Sequence, residues 1–209
     1  GSVLWSSTEN LGTFVWGFEE RGGVLYAGTN DGEGYALDAA TGATSWSVVA
    51  HSDGTRSGDL AVLDGVLYSG GYGEEVLALD PADGSVLWSA PAEARVIRFE
   101  TAPERGESGV LYWAESEGRT VAFDVESHSE AWNHTEHGTA KVTGVTYSDG
   151  VLYSGGWDNR TVAVDVEDRS VLWSVTHRAE DHDAVQDLAV LDGALYSLGW
   201  YTPNVAAYE

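Results

Sequence analysis

The sequence predicts an all-β fold, a five-bladed β-propeller of four-stranded antiparallel blades. The first reason is a repeat. Gly-Val-Leu-Tyr occurs four times and Gly-Ala-Leu-Tyr once, beginning at Gly23, Gly65, Gly109, Gly150 and Gly193. The repeats are 41 to 44 residues apart, the length of four short strands with their turns. The second reason is the alternation of Val, Leu, Tyr and Trp between Gly-rich turns, which is typical of β-strands.

The second repeat displays the four strands most clearly. Strands A, B, C and D are predicted at 59–63, 66–70, 75–80 and 85–90. The sequences between A and B and between C and D are typical of turns, because Gly permits a positive φ and Pro fixes φ. Extending this pattern along the chain predicts blades at about 13–49, 58–90, 95–134, 141–176 and 185–209.

The fifth repeat has no strand D of its own. Residues Ser2–Ser7 read Ser-Val-Leu-Trp-Ser-Ser and resemble the strand D sequence that begins at Ser85. We therefore expect the N-terminal strand to complete the last blade, so that residues 1–209 form a single domain. Such closure would remove an open sheet edge that could pair with other chains.

Charge limits the classes of partner. The chain has 34 Asp and Glu residues against 10 Lys and Arg, a net charge of −24. Nucleic acid is excluded as a partner, because its binding depends on Lys and Arg contacts to phosphates. No apolar run is long enough to predict a membrane span. Cysteine is absent, and the composition resembles that of proteins from halophilic archaea. A monomer is expected, with an extracellular or cell-surface location favoured.

A family resemblance rests on the segments between strands C and D. Residues 36–46 and 78–88 follow the pattern Ala-x-Asp-x-x-x-Gly-x-x-x-Trp, whereas His128 and Arg169 replace the Gly in 122–132 and 163–173. The pattern resembles the repeat of the PQQ-like, quinoprotein-type β-propellers. The resemblance implies that the Trp packs between blades and that the Asp and Gly shape the turn.

The resemblance carries no cofactor. Dehydrogenases of the quinoprotein family have eight blades, vicinal cysteines and a calcium or lanthanide ion, whereas this chain has five repeats and no cysteine. We therefore expect no cofactor. Other members of the repeat family are scaffolds without catalytic activity, such as the outer-membrane assembly lipoprotein of bacteria.

A first candidate site lies at the mouth of the predicted central channel, which strand A lines. Aligning the five A strands places Gly17, Asp59, Arg98, Gly144 and Asp187 at one position. Asp59, Arg98 and Asp187, with Trp16 beside them, are the predicted ligand-binding residues, since Arg pairs well with carboxylates and sugar diols. The alternative is an Arg98–Asp ion pair that only neutralises the channel. The next position is apolar and should pack between blades: Phe18, Leu60, Phe99, Val145 and Leu188.

A second candidate site is the face formed by the D–A and B–C connections. The B–C connections supply Tyr72, Trp157, Trp200 and Tyr201. The D–A connections concentrate histidines and cations, among them His51, His137, His177, Arg56, Arg95 and Lys141. Because binding residues are frequent on such connections, this face is the predicted ligand-binding face. His177, His182 and Asp183 are candidate metal ligands, although their spacing matches no established pattern.

These residues favour a non-catalytic binding or scaffold propeller over an enzyme. Its partner would be a protein or a small polar ligand such as a sugar. The alternative is a glycosidase-type hydrolase that uses Asp59 and Asp187, because that chemistry needs two carboxyl groups. No nucleophile elbow, phosphate-binding loop or dinucleotide fingerprint is present.

The net charge predicts that salt stabilises the fold. Raising NaCl from about 0.1 M to about 1 M shortens the Debye length from about 10 Å to about 3 Å and so screens repulsion between carboxylates. We expect the melting temperature to rise by roughly 5 °C or more, about 2 kcal/mol for a chain of this size. Calorimetry in NaCl, with sucrose as a neutral control, measures it. A melting temperature that is flat or falling with NaCl would contradict the prediction.

Overall fold

The protein is all-β. The computed structural model describes residues 1–7, 14–51, 56–102, 109–177, 184–199 and 205–208. Within these ranges the chain forms five antiparallel sheets, which confirms the predicted fold class. No helix in the described residues is long and apolar enough to cross a membrane. The chain divides into two compact units, Gly1–Val96 and Ile97–Glu209. The single domain over 1–209 stays a prediction.

The first unit contains two sheets of four strands. Each sheet is a meander in which consecutive strands pair. The first sheet comprises β1 (Val15–Arg21), β2 (Val24–Thr29), β3 (Glu33–Asp38) and β4 (Thr44–Val49). The second comprises β5 (Ser57–Leu63), β6 (Val66–Gly71), β7 (Glu75–Leu79) and β8 (Val86–Pro91). The four strands predicted in the second repeat are therefore confirmed.

The second unit contains three sheets of the same kind. The third sheet comprises β9 (Val96–Thr101), β10 (Val110–Glu115), β11 (Thr120–Asp124) and β12 (Ser129–His134). The fourth comprises β13 (Val142–Ser148), β14 (Val151–Gly156), β15 (Arg160–Asp165) and β16 (Val171–Thr176). The fifth comprises β17 (Val185–Leu191), β18 (Ala194–Gly199) and β19 (Val205–Tyr208).

One aromatic pair recurs inside the sheets. The Tyr of each Gly-x-Leu-Tyr sequence, on strand B, lies against the Trp of strand D in the same sheet. The ring centroids are 5.8 to 6.0 Å apart in Tyr26–Trp46, Tyr68–Trp88, Tyr112–Trp132 and Tyr153–Trp173. Tyr68 and Tyr112 are fully buried. Trp46, Trp132 and Trp173 are partly buried and pack against the hydrophobic clusters of the core.

The strand D tryptophan also contacts the following sheet. In the first unit, Trp46 Nε1 donates a hydrogen bond of 2.9 Å to the carbonyl of Pro81, in the C–D turn of the next sheet. Gly84 of the same turn has a φ of +75°, and a Cβ there would lie 2.9 Å from the Trp46 ring. The Gly of the repeat is thus required twice, for its backbone conformation and for the space that the indole needs.

The Asp of the repeat holds the same turn. Asp38 Oδ1 accepts hydrogen bonds from the backbone N–H groups of Ala40 and Thr41, at 3.1 and 2.8 Å. Asp124 accepts from Ser127 in the same way, at 2.8 Å. Hydrogen bonds lower the pKa of Asp38, and the one from the Thr41 hydroxyl has the largest effect. The predicted turn role of this Asp is confirmed. Where Gly is replaced, His128 and Arg169 adopt positive φ values of 53° and 62°.

The N-terminal segment differs from the expectation. Residues 1–7 form no strand, and the described part of the fifth sheet has three strands. Trp5 nevertheless behaves as a strand D tryptophan, because its Nε1 donates a 2.9 Å hydrogen bond to the carbonyl of Ala39. Its ring also occupies the space beside Gly42. Completion of the last blade by Ser2–Ser7 stays a prediction.

The packing of Trp46 on Gly84 can be tested with a matched pair of variants. Gly84 and Gly65 have φ values of +75° and +76°, but a Cβ on Gly65 meets nothing within 4 Å. Both Gly→Ala variants carry the backbone cost of roughly 1–2 kcal/mol. Only Gly84→Ala adds the collision with the indole, about 1–3 kcal/mol more. Urea unfolding measures the difference, and equal destabilisation would show that the contact contributes nothing.

Candidate ligand-binding face

The predicted channel-mouth position lies at a recurring irregularity of strand A. The pairing of strands A and B shifts register between Val15 and Gly17. It shifts again between Ser57 and Leu60, and between Val185 and Asp187. Such irregularities redirect side chains locally. The candidate position therefore coincides with a local interruption of the pairing between strands A and B.

Neighbouring A strands approach closely at this position. A Cβ on Gly17 would lie 2.8 Å from the carbonyl oxygen of Gly58 and 3.1 Å from Asp59 Oδ1. A Cβ on Gly144 would lie 3.1 Å from the Cα of Asp187. Gly17 and Gly144 are therefore present because the backbones need the space, and each faces a carboxylate residue on the next A strand.

The structure brings Arg98 and Asp187 together. Arg98 Nη2 lies 3.4 Å from Asp187 Oδ2, with the two side chains 34% and 48% exposed. Asp187 Oδ1 accepts a 3.0 Å hydrogen bond from the N–H of Leu188. A pair this exposed stabilises a fold by at most about 1 kcal/mol. Asp59 belongs to the first unit. Burial raises the pKa of Glu19 there, the Arg21 charge opposes this shift, and the Asp59 charge adds to it.

The apolar position beside it packs largely as expected. Leu60, Phe99, Val145 and Leu188 are buried. Phe18 is 70% exposed, so the prediction is wrong for this residue. The reason is that β1 is the first strand of its unit, and no earlier sheet of that unit covers it.

Two arginines surround Tyr72 in the first unit. The guanidinium carbons of Arg56 and Arg95 lie 5.2 and 4.6 Å from the centre of the Tyr72 ring. Arg56 also lies 5.3 Å from the ring centre of Trp16. Both arginines are exposed, and Trp16 is 53% exposed. Two of the predicted ligand-binding residues, Trp16 and Tyr72, are thus joined by Arg56 into one surface, which we call the arginine–aromatic surface.

The second unit has a smaller version of this arrangement. Lys141 Nζ lies 5.3 Å from the ring centre of Trp157, which is 52% exposed. The backbone N–H of Trp157 donates to the carbonyl of Lys141, as that of Tyr72 donates to Arg56, at 2.9 and 3.0 Å. In both sheets the cation directly precedes strand A and the aromatic residue directly follows strand B. Because A and B are antiparallel neighbours, these two positions lie side by side.

Three histidines of the D–A connections are not part of the exposed face. His51 is fully buried, and its Nε2 lies 3.0 Å from Ser69 Oγ. His137 and His177 are 4% and 7% exposed. The expectation that these histidines contribute to ligand binding is wrong, because their rings hydrogen-bond to strands. A signal was present, since His51 and His137 lie five residues after a strand D Trp and His177 lies four after one.

One of these histidines has the hydrogen-bond order of a hydrolase triad. His137 Nε2 lies 3.0 Å from Ser154 Oγ, and its Nδ1 lies 2.9 Å from Asp158 Oδ1. Ser154 is 5% exposed, and the crevice beside it, lined by Trp132 among others, has no room for a substrate. A nucleophile must reach its substrate. We therefore interpret this group as a structural hydrogen-bond chain.

Of the three candidate metal ligands, only His177 lies within the described residues. His182, Asp183, Trp200 and Tyr201 lie outside the described residues. Both ring nitrogens of His177 are engaged, Nε2 with Thr161 at 2.8 Å and Nδ1 with the Tyr208 hydroxyl at 2.7 Å. Across the described ranges, no three His, Cys, Asp or Glu residues are grouped so that they could hold a metal ion.

Solved structures that align with this chain include a β-propeller domain. The computationally designed Ika8 protein aligns at a TM-score of 0.79 and 16% identity, over 93% of this chain and 57% of that one. The WD40 β-propeller domain of Doa1 aligns at 0.77 and 13%, over 92% and 62%. BamB from Moraxella catarrhalis aligns at 0.63 and 16%, over 93% and 63%. This chain thus spans about 57–63% of their lengths.

The fold is therefore that of a β-propeller, and the five sheets are its blades. Residues 1–135 and 73–200 match the family model described as outer membrane protein assembly factor BamB. The chain belongs to this family of PQQ-type repeat proteins. No curated protein sequence matches it significantly.

Burial of His51 predicts a pH dependence of stability. Burial lowers the pKa of His51, and the Glu75 carboxylate, 3.7 Å from Nδ1, opposes the shift only partly. Below about pH 6.5 the unfolded chain binds a proton that folded His51 does not. The free energy of unfolding therefore falls as pH drops through 6.5, until the pH reaches the folded pKa. The slope from this residue is at most about 1.4 kcal/mol per pH unit.

His51→Gln is the control for this slope, because it cannot titrate. Urea unfolding of both proteins between about pH 8 and pH 5.5 measures the difference in slope. We expect a smaller loss of stability on acidification in the variant. Identical slopes for the two proteins would contradict the assignment of this pH dependence to His51.

Proposed function

We propose that this protein is a non-catalytic binding or scaffold propeller that docks a protein partner on the face formed by its D–A and B–C connections. The observation that carries the proposal is the repeated pairing of a cation before strand A with an exposed aromatic ring after strand B. It occurs as Arg56 with Tyr72 and as Lys141 with Trp157. Three histidines of the same connections are buried. The cations and aromatic rings are therefore the residues of these connections that a partner can reach.

The chemistry of these residues suits protein binding. Trp, Tyr and Arg are enriched among the residues that dominate the energy of protein interfaces. Trp16 and Trp157 are each about half exposed, although burial of an indole is favourable. The description of the family names an outer membrane protein assembly factor. One similar solved structure is that of the Mitotic Checkpoint Complex. These descriptions support a scaffold role here. We also propose that the chain is a single five-bladed domain, that it is monomeric and that it comes from a halophilic organism.

The hydrolase alternative has less support. A glycosidase using Asp59 and Asp187 would need both carboxyl groups available to a substrate. Asp187 is instead engaged by Arg98 and by the backbone N–H of Leu188. Release of nitrophenol from a panel of aryl glycosides tests this alternative. Turnover that disappears in Asp187→Asn would overturn the non-catalytic proposal.

Selection from a displayed random-peptide library tests the docking face. Peptides enriched on the wild-type protein are titrated against Trp157→Ala and against Leu172→Ala as the matched control. Leu172 is 51% exposed and lies on the outer strand β16, away from the B–C connection. We expect Trp157→Ala to weaken binding about tenfold or more, the loss typical of an interface aromatic residue, and Leu172→Ala to have little effect.

The opposite result would contradict the proposal. Peptides that lose affinity only with Leu172→Ala would place the binding surface on the outer strands. Failure to enrich any peptide would contradict a protein partner. Circular dichroism of both variants serves to show that the folds are intact.

A further inference from the structure

We propose that the arginine–aromatic surface of the first unit is a binding site for a carboxylate attached to a ring, such as a sugar acid or an aromatic acid. The surface consists of Trp16, Arg56, Tyr72 and Arg95. The inference goes beyond the proposed function, since it names a small ligand for one part of the same face and can hold whether or not a protein docks there.

The first argument is geometric. Arg95, Tyr72, Arg56 and Trp16 form a continuous row, with guanidinium-to-ring-centre distances of 4.6, 5.2 and 5.3 Å in that order. Stacking on a ring occupies the face of a guanidinium and leaves its N–H groups at the edge to bind other groups. Two sets of donors therefore lie close to one phenol ring.

The row is held by the backbone as well as by the rings. The N–H of Tyr72 donates 3.0 Å to the carbonyl of Arg56, which fixes the start of β5 against the end of β6. Arg95 directly precedes β9, as Arg56 directly precedes β5. Both arginines thus extend from ends of strands, where the backbone is defined. Such pre-organisation lowers the entropy that ligand binding costs.

The second argument is charge. Neither Arg56 nor Arg95 forms a salt bridge within the part of the chain that the structure describes, although the protein has 34 acidic residues. Other arginines do so: Arg119 contacts both Glu115 and Glu130, and Arg98 contacts Asp187. On so acidic a chain, two neighbouring guanidinium groups without carboxylates are complementary to an anion supplied from outside. Guanidinium groups bind carboxylates in two parallel hydrogen bonds.

The third argument limits the size of that anion. The net charge of −24 repels a polyanion over long distances, and more strongly than a ligand with one charge. Trp16 offers a half-exposed indole beside Arg56 for the body of the ligand. An aromatic ring stacks on an indole, and the C–H groups on one face of a sugar ring pack against it. A single carboxylate on a ring therefore fits the surface better than an acidic polymer.

Titration of the intact protein with paired probes tests the site. The probes are D-glucuronate against D-glucose and benzoate against benzyl alcohol, followed by tryptophan fluorescence and calorimetry. We expect the acid of at least one pair to bind and its neutral partner to bind about tenfold or more weakly, because the guanidinium groups recognise the carboxylate. Glucuronate binding would identify a sugar acid, and benzoate binding would identify an aromatic acid.

Variants then connect binding to the surface. Arg56→Gln with Arg95→Gln should reduce affinity for the acid about tenfold or more, while Arg160→Gln changes charge in the second unit and should have little effect. An equal loss of affinity in Arg56→Gln, Arg95→Gln and Arg160→Gln would show that only the net charge of the protein matters. That result would overturn the site. So would equal binding of an acid and its neutral partner, or no binding of either acid.

Failure of this inference and failure of the proposed function can be told apart. If the acids do not bind but peptides still require Trp157, the docking face stands and the carboxylate site is wrong. If the acids bind and no peptide does, the face recognises small ligands and the protein partner is wrong. Trp16→Ala adds a further readout, because it removes stacking without changing charge.

Discussion

The fold depends on the contact between a strand D indole and the C–D turn of the following sheet. Trp46 donates to the carbonyl of Pro81 and lies against Gly84, so the two sheets of the first unit are fixed at one separation. At that separation the backbones of neighbouring A strands touch at Gly17 and Gly58. His51 also becomes buried against Ser69 of the second sheet. The Trp46 hydrogen bond, the close approach of the A strands and the burial of His51 are thus three contacts between the same two sheets.

The candidate binding face follows from the same repeat. Since A and B are adjacent antiparallel strands, the residue before A and the residue after B meet in every sheet of this kind. A cation and an aromatic ring at these positions form a pair whenever both are present, as in Arg56 with Tyr72 and Lys141 with Trp157. The fold provides the positions, and the residues at two positions per sheet decide whether that sheet carries a cation–aromatic pair.

The arginines include one that is buried and paired with glutamates and two that are exposed and stack on aromatic rings. Arg119 is 8% exposed and contacts two glutamates, where it compensates a buried carboxylate of Glu115. An unpaired buried charge would be strongly destabilising, so that network is required by the fold. Arg56 and Arg95 are exposed and stack on rings instead. Within the described residues, neither of these arginines forms a salt bridge with a carboxylate. This is the basis for proposing that they bind a ligand.

The sequence by itself determined the five repeats and the four strands of the second one, because these follow from spacing and side-chain type within one repeat. The family resemblance added the turn role of the Asp, and the Tyr–Trp pairs inside the sheets came from the structure. Only the tertiary structure decided which polar residues of the connections face solvent. His51 and Arg56 belong to one connection, five residues apart, yet His51 is fully buried and Arg56 is exposed. The difference arises because the His51 ring reaches Ser69 on the adjacent sheet, a contact that depends on how the two sheets pack.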